Sequence, residues 1–288
     1  PRVGALRELK FASEKYFRKE ITTDELKNTA KSLRRTHWLK QKEAGIDYIS
    51  SNDFSYYDIM LDTAVMFGIV PKRYKELGLS ELDTYFAMAR GYQGALGDVK
   101  ALAMKKWFNT NYHYIVPEIE DDMQIALLGN KLWDEYTEAK ELGIETKPVL
   151  IGAYTLLKLC RYTGEKSAAD FEDAVIHAYQ NVIKKCESYG IAWIQLDEPA
   201  LVQDMSQEDL KFFLRIYDVV LSAKDKCKIL LQTYFGDVRD VYQDLIKMPF
   251  DGIGLDFVEG KETYHLIENH GFPKDKLLFA GLVNGKNI

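Results

Sequence analysis

The sequence predicts an α/β protein, a TIM-type (β/α)8 barrel, and three observations carry that expectation. Short β-type runs alternate with helix-length amphipathic segments along the 288 residues, the pattern of βαβ units and a parallel sheet. Seven such runs are visible, at 46–53, 112–118, 147–155, 191–197, 227–235, 252–258 and 277–283. An eighth is expected ahead of Arg2-Val3-Gly4, so the first strand is read as clipped; no helical pattern follows the seventh run, so the last helix is read as missing. The third observation is local: Trp193-Ile-Gln-Leu-Asp-Glu-Pro199 runs apolar into two carboxylates and a proline. Proline has no N–H to continue a ladder, so the strand should stop near Asp197 and Glu198 and present them at its C-terminal edge, where barrels place their functional groups.

Taken in order, Gly4 reads as a strand-end glycine and Arg7-Glu-Leu-Lys10 as the opening of the first helix. Thr22-Thr-Asp-Glu25 has the spacing of a capping box, and the helix it starts carries Leu26, Ala30, Leu33 and Ala44 before Gly45 closes it. Ser80-Glu-Leu-Asp83 opens another helix, and the stretch 91–97, with glycine at both ends, is expected to be a mobile loop. A further helix begins near Ala168, aligns Phe171, Val175, Ala178, Val182 and Cys186 on one apolar stripe, and ends at Gly190. No G-x-G-x-x-G follows a strand, since Gly252-Ile-Gly254 lies inside one, which argues against a dinucleotide-binding sheet. Residues 1–288 are read as one barrel domain without repeats or low-complexity tracts.

With 47% hydrophobic and 28% charged residues the composition is that of a globular domain. A net charge of −6 argues against nucleic acid as a partner, although a local group of Lys and Arg can still hold a small anion. No run suits a membrane span and no signal-peptide pattern is visible. Cys160, Cys186 and Cys227 form no CxxC pair, which fits a reducing compartment, and the cytoplasm is expected. Both chain ends look cut, so the sequence is read as a fragment of a longer protein.

The expected strand ends bring Asn52-Asp53, Pro117-Glu118, Thr155, Asp197-Glu198, Tyr234, Asp256 with Glu259, and Asn284 to one rim. Such a rim can orient an amine, a hydroxyl or a pterin-like ring edge; the competing reading is that these groups cap helices and pair with lysines. Zinc wants three converging ligands, yet of the five histidines only His113 stands near a strand, with no cysteine beside it. No catalytic residue and no metal ligand is therefore assigned. Arg7 and Lys10 near a helix start, and Lys105-Lys106-Trp107-Phe108 before a strand, could gather around a carboxylate-rich ligand with an apolar wall; a solvated charged face is the alternative.

Several motifs now recur in a known order: Pro1-Arg-Val-Gly4 with Arg7-Glu-Leu-Lys10, Gln41-Lys-Glu-Ala-Gly45, Ser51-Asn-Asp-Phe54, and Lys106-Trp-Phe-Asn-Thr-Asn-Tyr-His-Tyr114. Lys147-Pro-Val-Leu150, Ile194-Gln-Leu-Asp-Glu-Pro-Ala200, Thr233-Tyr-Phe235 and Gly281-Leu-Val-Asn-Gly285 follow. Along its whole length the chain resembles the N-terminal half of the cobalamin-independent methionine synthase family.

That resemblance implies the first of two barrels in an enzyme that moves a methyl group from 5-methyltetrahydropteroyltri-L-glutamate to homocysteine without cobalamin. It implies zinc in the C-terminal barrel, held by His-x-Cys, Glu and Cys, with none bound here, because the comparable strand reads Leu231-Gln-Thr-Tyr-Phe235. By the same resemblance Arg7, Glu8, Leu9, Lys10 and Lys106 contact the folate's glutamate tail, and Asp197 and Glu198 are a structural remnant bonded to loop N–H groups and cations. Ala5-Leu6 departs from the family's more usual residues after the glycine. The fragment alone is expected to be inactive, its partners being the folate and the second barrel. A stand-alone barrel for a small acid, or a non-catalytic scaffold, is the alternative.

Overall fold

The computed structural model describes residues 3–285; Pro1, Arg2 and Lys286 to Ile288, and with them the strand expected ahead of Arg2, lie outside the described residues. Six strands form one parallel sheet in sequence order: β1 (Ile49–Ser51), β2 (Thr146–Ile151), β3 (Trp193–Asp197), β4 (Lys228–Gln232), β5 (Gly252–Asp256) and β6 (Leu277–Gly281). Val149 stands beside Gln195, Gln195 beside Leu230, Leu230 beside Gly252, and Gly254 beside Phe279. The sheet is curled. Tyr48, just ahead of β1, meets Phe279 of β6 at 5.2 Å and Trp193 of β3 at 5.7 Å between ring centroids, so three rings plug the end where the strands begin. A Cβ at Gly252 would press on Phe279 and Trp193, which explains a glycine on that wall.

Helices cover the outside. The Thr23–Glu43 helix starts on the expected capping box: Thr22 Oγ1 accepts the Glu25 N–H at 3.2 Å and the Glu25 carboxylate accepts the Thr22 N–H at 2.7 Å. Gly45, at φ +74°, follows its end. Ser80 caps the Glu81–Arg90 helix, and the stripe from Val175 to Cys186 lies buried on the Glu172–Ser188 helix.

Three sequence expectations are corrected. The run 112–118 is no barrel strand: His113–Ile115 pairs antiparallel with Met104–Lys106, and Glu118–Ile119 pairs with Arg161–Tyr162. Pro117 sits between the two pieces and offers only a carbonyl, which accepts the Arg161 N–H at 2.8 Å. The run 147–155 stops as strand at Ile151, and Thr155 belongs to the Ala153–Leu159 helix. The stretch 91–97 belongs to a hairpin pairing Tyr92–Gly94 with Gly97–Val99. The long excursion between β1 and β2 divides its apolar residues: Tyr74, Phe86, Met88, Leu102 and Ile115 join Leu9, Leu26 and Leu33 of the N-terminal helices in a satellite core, while Phe67, Tyr114 and Val116 pack with the sheet.

Candidate functional site

The Asp-Glu-Pro step ends β3 as expected, and its two carboxylates go separate ways. Glu198 is fully buried and turns toward the start of the Ala153–Leu159 helix. It accepts the Tyr154 and Thr155 N–H groups at 2.9 and 2.7 Å, the Thr155 hydroxyl at 2.5 Å, and the Tyr217 hydroxyl. These are neutral donors. Burial pushes the Glu198 carboxyl up to about 7 against the pull of those bonds. Gly152 is glycine because a Cβ there would collide with this carboxylate.

Asp197 points into the barrel, accepting Gln195 Nε2 at 2.7 Å and the Tyr234 hydroxyl at 3.1 Å. Gln195 in turn takes a hydrogen bond from the buried Lys147 ammonium, so the cation reaches Asp197 through an amide. Burial pushes Asp197 up to about 6 and pulls Lys147 down. Asn52, at φ +59°, is locked by its N–H on Glu135 at 3.0 Å and its side chain on the Val149 carbonyl at 2.8 Å. Glu118 is paired with Arg73 at 2.7 Å. Most of the expected rim is therefore spent on the fold.

Beyond the ends of β3 and β4 stand exposed lysines and half-buried aromatic rings, while Asp53 after β1 is also exposed. Lys105, Lys106, Phe108, Asn109, Tyr114 and Phe235 line a cavity of about 530 Å³ beyond the ends of β3 and β4. The Met104–Lys106/His113–Ile115 hairpin holds Lys106 opposite His113, and its turn is closed by the Trp107 N–H on the Tyr112 carbonyl at 2.8 Å. Trp107 packs against Tyr114 and Phe108, which leaves Phe108 on the cavity wall. Among the described residues neither Lys105 nor Lys106 has a carboxylate within ion-pair distance.

The four N-terminal residues divide by role. Arg7 precedes the Glu8–Phe17 helix in a left-handed conformation, φ +62°, with its side chain exposed. Glu8 folds back over Gly4 and accepts the Leu6 N–H at 3.1 Å, while Leu9 is buried in the satellite core. Lys10, 3.9 Å from Glu14, lines a second cavity of about 360 Å³ with Phe17, Tyr56, Tyr57, Phe86 and Arg90. Lys10 and Lys106 thus border different cavities. The segment between them is 54–58: Tyr56 and Tyr57 face the first, and Asp58 accepts the Ile115 N–H of the Lys106 hairpin at 2.9 Å. Arg90 stacks 3.6 Å over Phe17, a role the sequence does not signal, because a last-turn arginine before a glycine reads as helix capping. Phe235 was not singled out as a cavity residue; a single phenylalanine past a strand carries no signal of its left-handed φ of +74°.

Among the described residues no three His, Cys, Asp or Glu side chains come close enough to hold a metal ion. Leu231-Gln232-Thr233-Tyr234 supplies no thiolate or imidazole, so these residues do not fit zinc.

Residues 1–288 match the family described as the N-terminal domain of cobalamin-independent synthase. Over 288 residues the chain is 56% identical to the 5-methyltetrahydropteroyltriglutamate–homocysteine methyltransferases of Streptococcus thermophilus and Campylobacter jejuni subsp. doylei, covering 100% of this chain and 38% of each relative. It thus spans little more than a third of the length of these curated relatives. A structure from Listeria monocytogenes, a candidate vitamin-B12-independent methionine synthase, superposes with a TM-score of 0.69 at 17% identity, covering 98% of this chain and 77% of that one. A B12-independent methionine synthase from Shewanella sp. W3-18-1, in complex with selenomethionine, gives 0.63 at 16% identity, with 90% and 72% covered. At those identities the likeness bears on the fold alone, a barrel of the expected class. The sequence match along all 288 residues carries the assignment: this chain belongs to the cobalamin-independent synthase family and is its N-terminal domain.

Proposed function

We propose that this chain is the N-terminal, folate-polyglutamate-binding barrel of a methyltransferase that transfers a methyl group from 5-methyltetrahydropteroyltri-L-glutamate to homocysteine. The observation that carries the reading is the Lys106 cavity: ammonium groups without carboxylate partners, beside aromatic walls, at the functional end of a net-acidic barrel. A tri-glutamate tail presents several carboxylates, and fixed cations are the matching chemistry. Lys106 receives tail carboxylates at the barrel mouth, and Arg7 and Lys10 receive the far end near the second cavity. Glu8 shapes the loop that presents Arg7, and Leu9 anchors the helix that presents Lys10.

In this reading a second, C-terminal barrel of the same polypeptide supplies the zinc, which makes homocysteine a bound thiolate, and the isolated chain is inactive. The relatives' printed activity and the 56% identity support the reaction class. The test is calorimetric titration of the folded chain with tri-glutamate and mono-glutamate forms of the folate, with Lys106→Ala alongside. Loss of one charge-assisted contact should weaken the tri-glutamate by about tenfold and the mono-glutamate less. Failure of the folded chain to bind either, or equal affinities unaffected by salt, sinks the assignment.

A further inference from the structure

The cavity that holds Lys106 is walled by two phenylalanines in a conformation that bulky residues avoid. Phe108 has φ +51° and Phe235 φ +74°, and their rings stand 5.8 Å apart at an interplanar angle of 35°. Glycine would occupy either position without steric cost, so a phenylalanine at both sets backbone strain against having these rings here.

One carboxylate ties the two positions together. Asp256, at the end of β5, accepts the Phe235 N–H at 2.8 Å through one oxygen. Its other oxygen accepts the N–H groups of Val258 and Glu259 at 2.8 and 2.9 Å. Glu259 accepts the side-chain amide of Asn109, the neighbour of Phe108, at 2.5 Å. The chain of contacts closes on itself from Asp256 through Phe235 and Phe108 to Asn109, Glu259 and back.

We infer that Phe108 and Phe235 form an aromatic wall that binds the benzoyl ring of a p-aminobenzoyl-polyglutamate, next to the tail carboxylates at Lys105 and Lys106, with Asp256 as the positioning residue of that wall. The inference rests on the folate-tail reading and deepens it. A 5.8 Å gap admits no third ring between the two, so the ligand's ring packs against their cavity-facing side, edge-on or offset. A flat ring joined by an amide to a carboxylate fits such a wall with ammonium groups at its edge.

The test compares p-aminobenzoyl-tri-glutamate with γ-linked tri-glutamate lacking the ring, by calorimetric titration of the folded chain. The ring should improve affinity by about threefold to tenfold, the range of one aromatic contact. Phe108→Gly and Phe235→Gly should each abolish most of that gain and weaken γ-tri-glutamate by a smaller factor than they weaken the ring-bearing ligand. Phe235→Leu, which keeps apolar volume without a π face, should fall between. Asp256→Ala should lower the ring-dependent gain while leaving γ-tri-glutamate affinity within about twofold, an outcome that general loosening of the fold does not produce. Lys106→Ala should weaken both ligands alike. A ring that adds no affinity, or a gain that survives loss of both phenylalanines, overturns the wall while leaving the tail site standing. If neither ligand binds the unmodified folded chain, the tail site falls and the wall with it.

Discussion

Glu187 and Glu198 lie at opposite ends of the barrel wall and are held by similar donors, yet they are driven in opposite directions. At the end where strands begin, Glu187 accepts the N–H groups of Asp225, Lys226 and Cys227 at 2.8, 2.7 and 3.0 Å, fixing the entry to β4. Burial works to raise its pKa there, but the three backbone bonds prevail and hold it at about 2. At the other end Glu198 also has backbone and hydroxyl donors, but it is sealed inside, and burial wins, at about 7. Depth decides the sign, because desolvation of a carboxylate grows faster than neutral hydrogen bonds can offset it. At the end where the strands stop, Asp197 and Glu198 are thus withdrawn into the interior while Lys105 and Lys106 stand exposed.

The comparison can be broken most directly at Glu198. Glu198→Ala strands two N–H groups and two hydroxyls in the core and should cost about 3–5 kcal/mol in urea unfolding, with the Lys106 cavity unaffected in any variant that still folds. Next in size is the pH dependence. The native state holds the Glu198 proton more tightly than the unfolded chain, so stability from this group is full below its ordinary carboxyl value of 4.5. It is lost as pH rises to about 7, a swing of about 3 kcal/mol at most. Asp197 adds the same sign between 3.8 and about 6. Unfolding midpoints at pH 5 and pH 8 should show the decline, flattened in Glu198→Gln; a rise toward pH 8 that Glu198→Gln leaves unchanged would refute the assignment.

Smaller effects follow. Gly152→Ala drives a methyl into the Glu198 carboxylate and should cost about 2 kcal/mol by thermal unfolding, less if Glu198 is already alanine. Glu187→Gln sharpens the contrast from the other side. Its carboxylate stabilises above the ordinary value and loses that contribution as pH falls through about 2, so the variant should cost about 1 kcal/mol at pH 7, discounted for its partial exposure, and nothing near pH 2.

Capping boxes, glycine stops and the Asp-Glu-Pro break were legible because each depends on a few neighbouring residues. The capping box at Thr22, the stop at Gly45 and the strand end at Asp197 all stand where the sequence puts them. The run 112–118 misled because an apolar β-type run fits a hairpin as well as a barrel, and only Pro117 hinted at the break. The N-terminal helix start was equally legible, whereas the meeting of Phe108 with Phe235, or the convergence of Lys10 and Arg90 on one cavity, depends on segments far apart in the chain.

By itself the sequence determined the α/β class, the helix starts at Thr22 and Ser80, the net charge, the placement of two carboxylates at the end of β3, and the family. Only the tertiary structure decided which carboxylate would be sealed against a helix start and which would turn into the barrel. It also decided that the exposed cations would stand in two cavities instead of one, and that two phenylalanines would accept left-handed backbones to share a wall. Local patterns encode elements because their forces act over a few residues, but burial and convergence are set by what the rest of the chain packs around them.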